Sequence, residues 1–193
     1  MRIIGGQFGG RHLVSPKGPP VRTTLDHVRQ AIFNLLGERI EGARVLELFA
    51  GSGAVGLEAF SRGAAHVTLV DRSIFCIKAI EANVQSLSPA TSNQQRVTIL
   101  RSDASAALRR LAREDQEFDI VFLDPPYGPK LTTISLKALA DCAIVSPSGQ
   151  VIVEHDKRYP PPLQVEGTRG SFVVQRTLKY GDTALTFYSS LKQ

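Results

Sequence analysis

A proline-stiffened loop, a glycine cluster and four acidic side chains are the residues of this chain whose types and spacing suit chemistry. The loop is Asp124-Pro125-Pro126-Tyr127, directly after the apolar run Ile120-Val121-Phe122-Leu123. Each proline holds φ at about −65°, lacks an N–H and pushes its predecessor into an extended conformation, so neither strand nor helix continues through the pair. A carboxylate, bare main-chain carbonyls and an aromatic ring are thereby presented in a fixed order, an arrangement suited to gripping an amine on a flat ring. The glycines are Gly51-Ser52-Gly53-Ala54-Val55-Gly56, spaced Gly-x-Gly-x-x-Gly between the apolar run Val45 to Phe49 and the helical pattern Leu57-Glu58-Ala59-Phe60. Such glycines let main chain approach a ligand closely, and Asp71 follows Gly51 by twenty residues, as in dinucleotide-binding folds.

The acids choose among ligands. Glu47, Asp71, Asp103 and Asp124 each stand at or near the end of an apolar run. In a parallel sheet, ligands bind outside the carboxyl ends of the strands. A pyrophosphate would face this acidic rim with no lysine or arginine in the glycine loop to offset it. S-adenosylmethionine carries a sulfonium, an ammonium, ribose hydroxyls and an adenine amine, and no phosphate, so carboxylates suit it. The reading is therefore an adenosylmethionine site, with S-adenosylhomocysteine as product, ahead of a nicotinamide-dependent oxidoreductase.

The positioning elements follow from hydrophobic period. Strands are expected at Val45–Phe49, Val67–Val70, Val97–Leu100, Ile120–Leu123 and Gln150–Val153. Helices are expected from Thr24 or Leu25 to Leu36, after the glycine loop, at Ile74–Val84, at about Ser105–Arg113 and at Leu131–Cys142. Apolar strands alternating with helices specify an α/β fold, a mostly parallel Rossmann-like sheet with helices on both faces. Phe172–Lys179 and Ala184–Tyr188 around Gly181-Asp182 form an antiparallel C-terminal hairpin. Residues 1–22 read as a small basic hairpin arm, with Arg2-Ile3-Ile4 and Arg11–Val14 as its strands, appended to a main domain of residues 23–193.

At 193 residues the chain is long enough for one full core, and a charged fraction of 21% beside 42% hydrophobic residues excludes a disordered class. No apolar run approaches a membrane span or a signal peptide, so a cytoplasmic location is expected. Cys76 and Cys142, and His12, His27, His66 and His155, show no metal-ligand spacing; the cysteines read as small buried hydrophobes and no metal is expected. The first 36 residues hold Arg2, Arg11, Lys17, Arg22 and Arg29 against Asp26 alone, a net +4 of the chain's +5. Such a concentration suits phosphate contacts on a polyanion, with Arg29 on the outer face of the first helix.

Glu47-Leu-Phe-Ala-Gly-Ser-Gly53 with Asp124-Pro-Pro-Tyr127 resembles the class I amino-methyltransferases. With Arg2-Ile3-Ile4-Gly5-Gly6, Arg22-x-Thr24-x-Asp26-x-Val28-Arg29 and Tyr180-Gly181-Asp182-Thr183-x-Leu185, essentially the whole chain resembles the bacterial RsmD-type family, which methylates the N2 amine of a guanine in 16S ribosomal RNA. The resemblance implies a class I methyltransferase fold. It implies a cofactor site of Glu47, Phe49, Gly51, Gly53, Asp71, Arg72, Asp103, Ala104 and Thr24, with Asp124, Pro125, Pro126 and Tyr127 holding the target base. It also implies 16S ribosomal RNA, in an assembling or assembled small subunit, as partner of a monomer. Thr23 and Gln30 depart from the proline and glutamate usual there. A DNA amino-methyltransferase acting on adenine or cytosine is the alternative, and the lack of a large target-recognition domain argues against it.

Overall fold

A computed structural model describes residues 1–17, 24–87, 96–126 and 128–191. Among the described residues the fold is mixed α/β with eight strands, mostly parallel with antiparallel C-terminal strands, and the chain divides into two compact units, Met1–Ser102 and Asp103–Gln193. Among the described residues no helix is long and apolar enough to cross a membrane.

The first unit contains α1 (Asp26–Leu36), a 3-10 turn (Gly37–Ile40), β1 (Arg44–Leu48), α2 (Ala54–Ser61), β2 (His66–Asp71), α3 (Ile74–Leu87) and β3 (Val97–Arg101). β2 lies between β1 and β3, parallel to both, with Glu47 opposite Leu69 and Leu69 opposite Ile99. Val45, Leu46, Leu48, Val67, Leu69 and Val70 are buried, as expected of strands covered on both faces. Gly37 ends α1 at φ +53°, a conformation that costs a residue with a Cβ. Every residue of α2 is buried. Gly56 makes that close packing possible: a Cβ there would lie 2.4 Å from Leu69 Cδ2 and 2.8 Å from Val67 Cγ1.

The second unit contains α4 (Ala104–Arg113), β4 (Phe118–Leu123), α5 (Gly128–Cys142), β5 (Val145–Asp156), β6 (Gln164–Glu166), β7 (Ser171–Tyr180) and β8 (Thr183–Leu191). Its strands run in the order β4-β5-β8-β7-β6, with β4 and β5 parallel and the rest antiparallel. β5 begins five residues ahead of the expected Gln150, because Phe118 pairs with Val145 while Ile120 pairs with Gln150. Pro147-Ser148-Gly149 falls within this register shift. β6 escaped the sequence reading, since three residues cannot show a period.

Among its described residues the arm pairs as the short, irregular hairpin expected: Arg2 bridges His12, Leu13 N–H donates to the Met1 carbonyl at 3.0 Å, and Ile3 N–H donates to the Arg11 carbonyl at 2.9 Å. Its glycines also follow the surface of α2. The Ile4 and Gly5 N–H groups donate to the two oxygens of Glu58 at 2.7 and 2.8 Å. Phe8 N–H donates to Ser61 Oγ, Ser61 Oγ to the Gly5 carbonyl, and Gln7 N–H to the Ser61 carbonyl. Ile3 and Leu13 are buried, and the Phe8 and Phe60 rings stack at 5.6 Å.

Arg29 does not stand on the outer face of α1. Its side chain is fully buried, with Nε 3.6 Å from Glu58 Oε2, Nη2 3.1 Å from Asp26 Oδ1 and further hydrogen bonds from the guanidinium to the Arg2 and Thr24 carbonyls. Glu58, also at zero side-chain exposure, takes Arg62 Nε at 2.8 Å as well. Because removing one member of a buried pair strands its partner in low dielectric, Glu58→Gln should lower unfolding stability by about 3–5 kcal/mol. Urea denaturation of the full chain measures this, and a midpoint unchanged from wild type would disprove the account of the pair.

Candidate functional site

In the first unit, β1 delivers the chain into Phe49-Ala50-Gly51-Ser52-Gly53, and α2 starts immediately afterwards. Three of these five residues have positive φ: Phe49 at +62°, Gly51 at +57° and Gly53 at +76°. Phe49 is the costly one, since a non-glycine residue there is strained, and such strain concentrates at functional sites. The turn is clipped from β2. Ala50 N–H donates to the Val70 carbonyl at 3.0 Å, and Gly51 N–H donates to Asp71 Oδ2 at 2.9 Å. Asp71 Oδ1 accepts Ser73 N–H at 2.8 Å. Each carboxylate oxygen of this half-buried residue keeps acceptor capacity for a further donor, such as a sugar hydroxyl.

Glu47 is buried and its Oε2 accepts Gly56 N–H at 2.8 Å, inside the first turn of α2. It thus satisfies an orphan amide at a helix N-terminus, where negative charge is favoured. Burial nonetheless raises its pKa from 4.5 to about 8, against the lowering pull of the Gly56 and Val55 amides and of Arg29. Of the other expected cofactor residues in this unit, Thr24 is buried, Phe49 half-buried and Arg72 exposed.

In the second unit, Asp103 caps α4, its Oδ1 accepting Ser105 N–H at 2.9 Å, and Ala104 is buried at the first helical position. β4 ends at Leu123, paired with Val153 of β5, and Asp124 and Pro125 follow half-buried with Pro126 exposed. Tyr127 lies outside the described residues, as does Arg22. Arg2, Arg11 and Lys17 are exposed and available to a polyanion, whereas buried Arg29 is not, because its charge is committed to Glu58 and Asp26.

Two residues that organise this region were missed in the sequence. Glu58 was legible only as one charge in the otherwise apolar stretch of α2. Asn83 gave no signal at all, yet it is 1% exposed and donates from Nδ2 to the Ser52 carbonyl of the glycine loop at 2.9 Å. Among the described residues no group of His, Cys, Asp and Glu side chains has the makings of a metal site.

The raised pKa of Glu47 has a measurable sign. The folded state holds a proton that the unfolded chain releases near pH 4.5, so this residue's contribution to stability is full below about pH 4.5 and is lost as pH rises through about 8. Glu47→Gln, which cannot ionise, should remove that part of the decline between about pH 5 and 8. Melting temperatures of both proteins across this range test it, and parallel curves would refute the assignment.

The sequence profile of the family described as "Conserved hypothetical protein 95" matches residues 1–189. The Bacillus subtilis (strain 168) protein YlbH, provisionally named an rRNA methyltransferase, is 35% identical over 188 residues, covering 97% of this chain and 98% of YlbH. "Ribosomal RNA small subunit methyltransferase D" of Escherichia coli (strain K12) is 36% identical over 156 residues, covering 81% of this chain and 75% of that protein. The solved structure of the Escherichia coli protein yhhF, described provisionally as a methyltransferase, superposes with a TM-score of 0.79 at 31% identity, covering 100% of this chain and 99% of that one. With that profile spanning nearly its whole length, the chain belongs to the Conserved hypothetical protein 95 family, the RsmD family of methyltransferases.

Proposed function

We propose that this protein transfers a methyl group from S-adenosylmethionine to the exocyclic N2 amine of a guanine in 16S ribosomal RNA. The observation that carries the reading is the glycine turn clipped by the Gly51 to Asp71 hydrogen bond, in a family with a member named for small-subunit ribosomal RNA methylation. The residues present fit the donor. Asp71 has spare acceptor capacity for ribose hydroxyls, the positive-φ turn at Gly51 and Gly53 lets main chain come close, and Gly51 to Gly56 contains no cation that a phosphate would need. Glu47 serves the site from inside, by anchoring the start of α2. Phe49, Thr24, Arg72, Asp103 and Ala104 complete the set assigned to the donor.

Bound S-adenosylmethionine supplies an activated methyl group, so the protein's task is to orient and desolvate the acceptor nitrogen. An exocyclic guanine amine is a poor nucleophile because its lone pair is delocalised into the ring. Asp124 and the Pro125 carbonyl accept its two N–H groups and favour the geometry that frees the lone pair, and Tyr127 stacks on the base. The base must leave its helix or be unpaired already, at a cost of about a few kcal/mol, and stacking at about 1–3 kcal/mol offsets much of it. The arm of residues 1–22 contacts phosphate through Arg2, Arg11, Lys17 and Arg22, and residues 23–193 carry the catalytic domain. The protein acts as a cytoplasmic monomer on an assembling or assembled small subunit.

Incubation with labelled adenosylmethionine and small ribosomal subunits, followed by digestion and nucleoside mass spectrometry, should yield N2-methylguanosine. Asp124→Ala should lower kcat by about 10²–10³-fold while S-adenosylhomocysteine affinity stays within about twofold, as for loss of an interaction made with the reacting group alone. Near-normal turnover in that variant, or label taken up when DNA replaces the subunits and not with the subunits, would overturn the proposal.

A further inference from the structure

The glycine loop and the basic arm are tied to the same side chain. Asn83 of α3 donates from Nδ2 to the Ser52 carbonyl at 2.9 Å and to the Val14 carbonyl at 3.1 Å, and its Oδ1 accepts Val14 N–H at 2.8 Å. Only one orientation of the amide works, since exchanging its oxygen and nitrogen would aim an acceptor at two carbonyls and a donor at an N–H. Ser52 is the middle residue of Gly51-Ser52-Gly53, and Val14 lies in the arm between exposed Arg11 and Lys17. Val14 is 53% exposed, and the arm is gripped here through its main chain.

We propose that Asn83 is a positioning residue that couples the seating of the basic arm to the conformation of the loop that receives the methyl donor. The inference rests on the adenosylmethionine and RNA reading given above. Asn83 itself touches neither ligand in that reading; it acts through Ser52 and Val14. A displacement of the arm that broke the Val14 pair would leave a buried carboxamide with unmet donors and acceptors, and the rotation that re-pairs it would release Ser52. The arm is also held on α2 by Glu58, so it grips both the middle of the loop and the helix that follows it. Coupling of this kind is reciprocal: donor binding at the loop must steady the arm by the same factor by which a seated arm improves donor binding.

S-adenosylhomocysteine binding to the full-length protein, followed by calorimetry and amide hydrogen exchange, tests this without RNA. In wild type, saturation should slow exchange of the arm segment around Val14 by about fivefold or more, the lower end of usual coupling factors. Val14→Pro removes the N–H that Asn83 accepts and leaves Asn83 itself unchanged. It should lose the ligand-induced protection of the neighbouring arm residues and, by the same reciprocity, weaken S-adenosylhomocysteine binding by about fivefold. Asn83→Asp, which presents an acceptor to two carbonyls, should weaken S-adenosylhomocysteine binding by about tenfold or more. Arm exchange that ignores the ligand in wild type, or protection that survives in Val14→Pro, overturns the coupling. A wild-type protein that fails to bind S-adenosylhomocysteine would instead overturn the methyl-donor reading itself.

Discussion

A buried carboxylate organises the first unit. Glu58 has no exposed surface, and its two oxygens accept the Ile4 and Gly5 amides, Arg62 and, at longer range, the charge of Arg29. Desolvating a carboxylate is expensive, and only several donors at good geometry offset it. Helix α2 carries Glu58 and also begins at the glycine turn, so whatever fixes this charge fixes the arm, the start of α1 and the helix behind the turn together. The arm is therefore built into the unit by more than the few main-chain bonds of its own short hairpin. Two short strands could not hold such an arm in place by themselves.

The acidic side chains at the strand ends do two kinds of work. Glu47 and Asp71 both accept main-chain amides, from Gly56 in one case and from Gly51 and Ser73 in the other. They shape the turn before any ligand arrives. Asp71 keeps lone pairs free for a donor, whereas Glu47 is enclosed, with a proton affinity raised by burial. Pre-shaping of this sort lowers the ordering cost of binding and is one reason a strained Phe49 is tolerated beside the glycines.

The parts of the site that depend on local chemistry were legible in the chain. The proline pair after β4, the glycines after β1 and the acid that ends β2 each announce themselves by residue type and neighbours. The parts that depend on partners distant in sequence were not. Arg29 sits at helical spacing that permits an outer face, and nothing local reveals that Glu58, twenty-nine residues on, draws it inward. Asn83 is an unremarked amide in an amphipathic helix until Val14 and Ser52 are brought to it from 69 and 31 residues away.

By itself the sequence determined the class of fold, the order of strands and helices and the type of ligand, because hydrophobic period, proline and glycine stereochemistry and charge sign act over a few residues. Tertiary structure decided which charges face solvent. Arg2, Arg11 and Lys17 remain outside, while Arg29 is consumed in a buried ion pair. It also decided that the glycine loop and the arm share Asn83. Both outcomes turn on desolvation, and the cost of burying a polar group is known only when the groups that will satisfy it have been brought into contact.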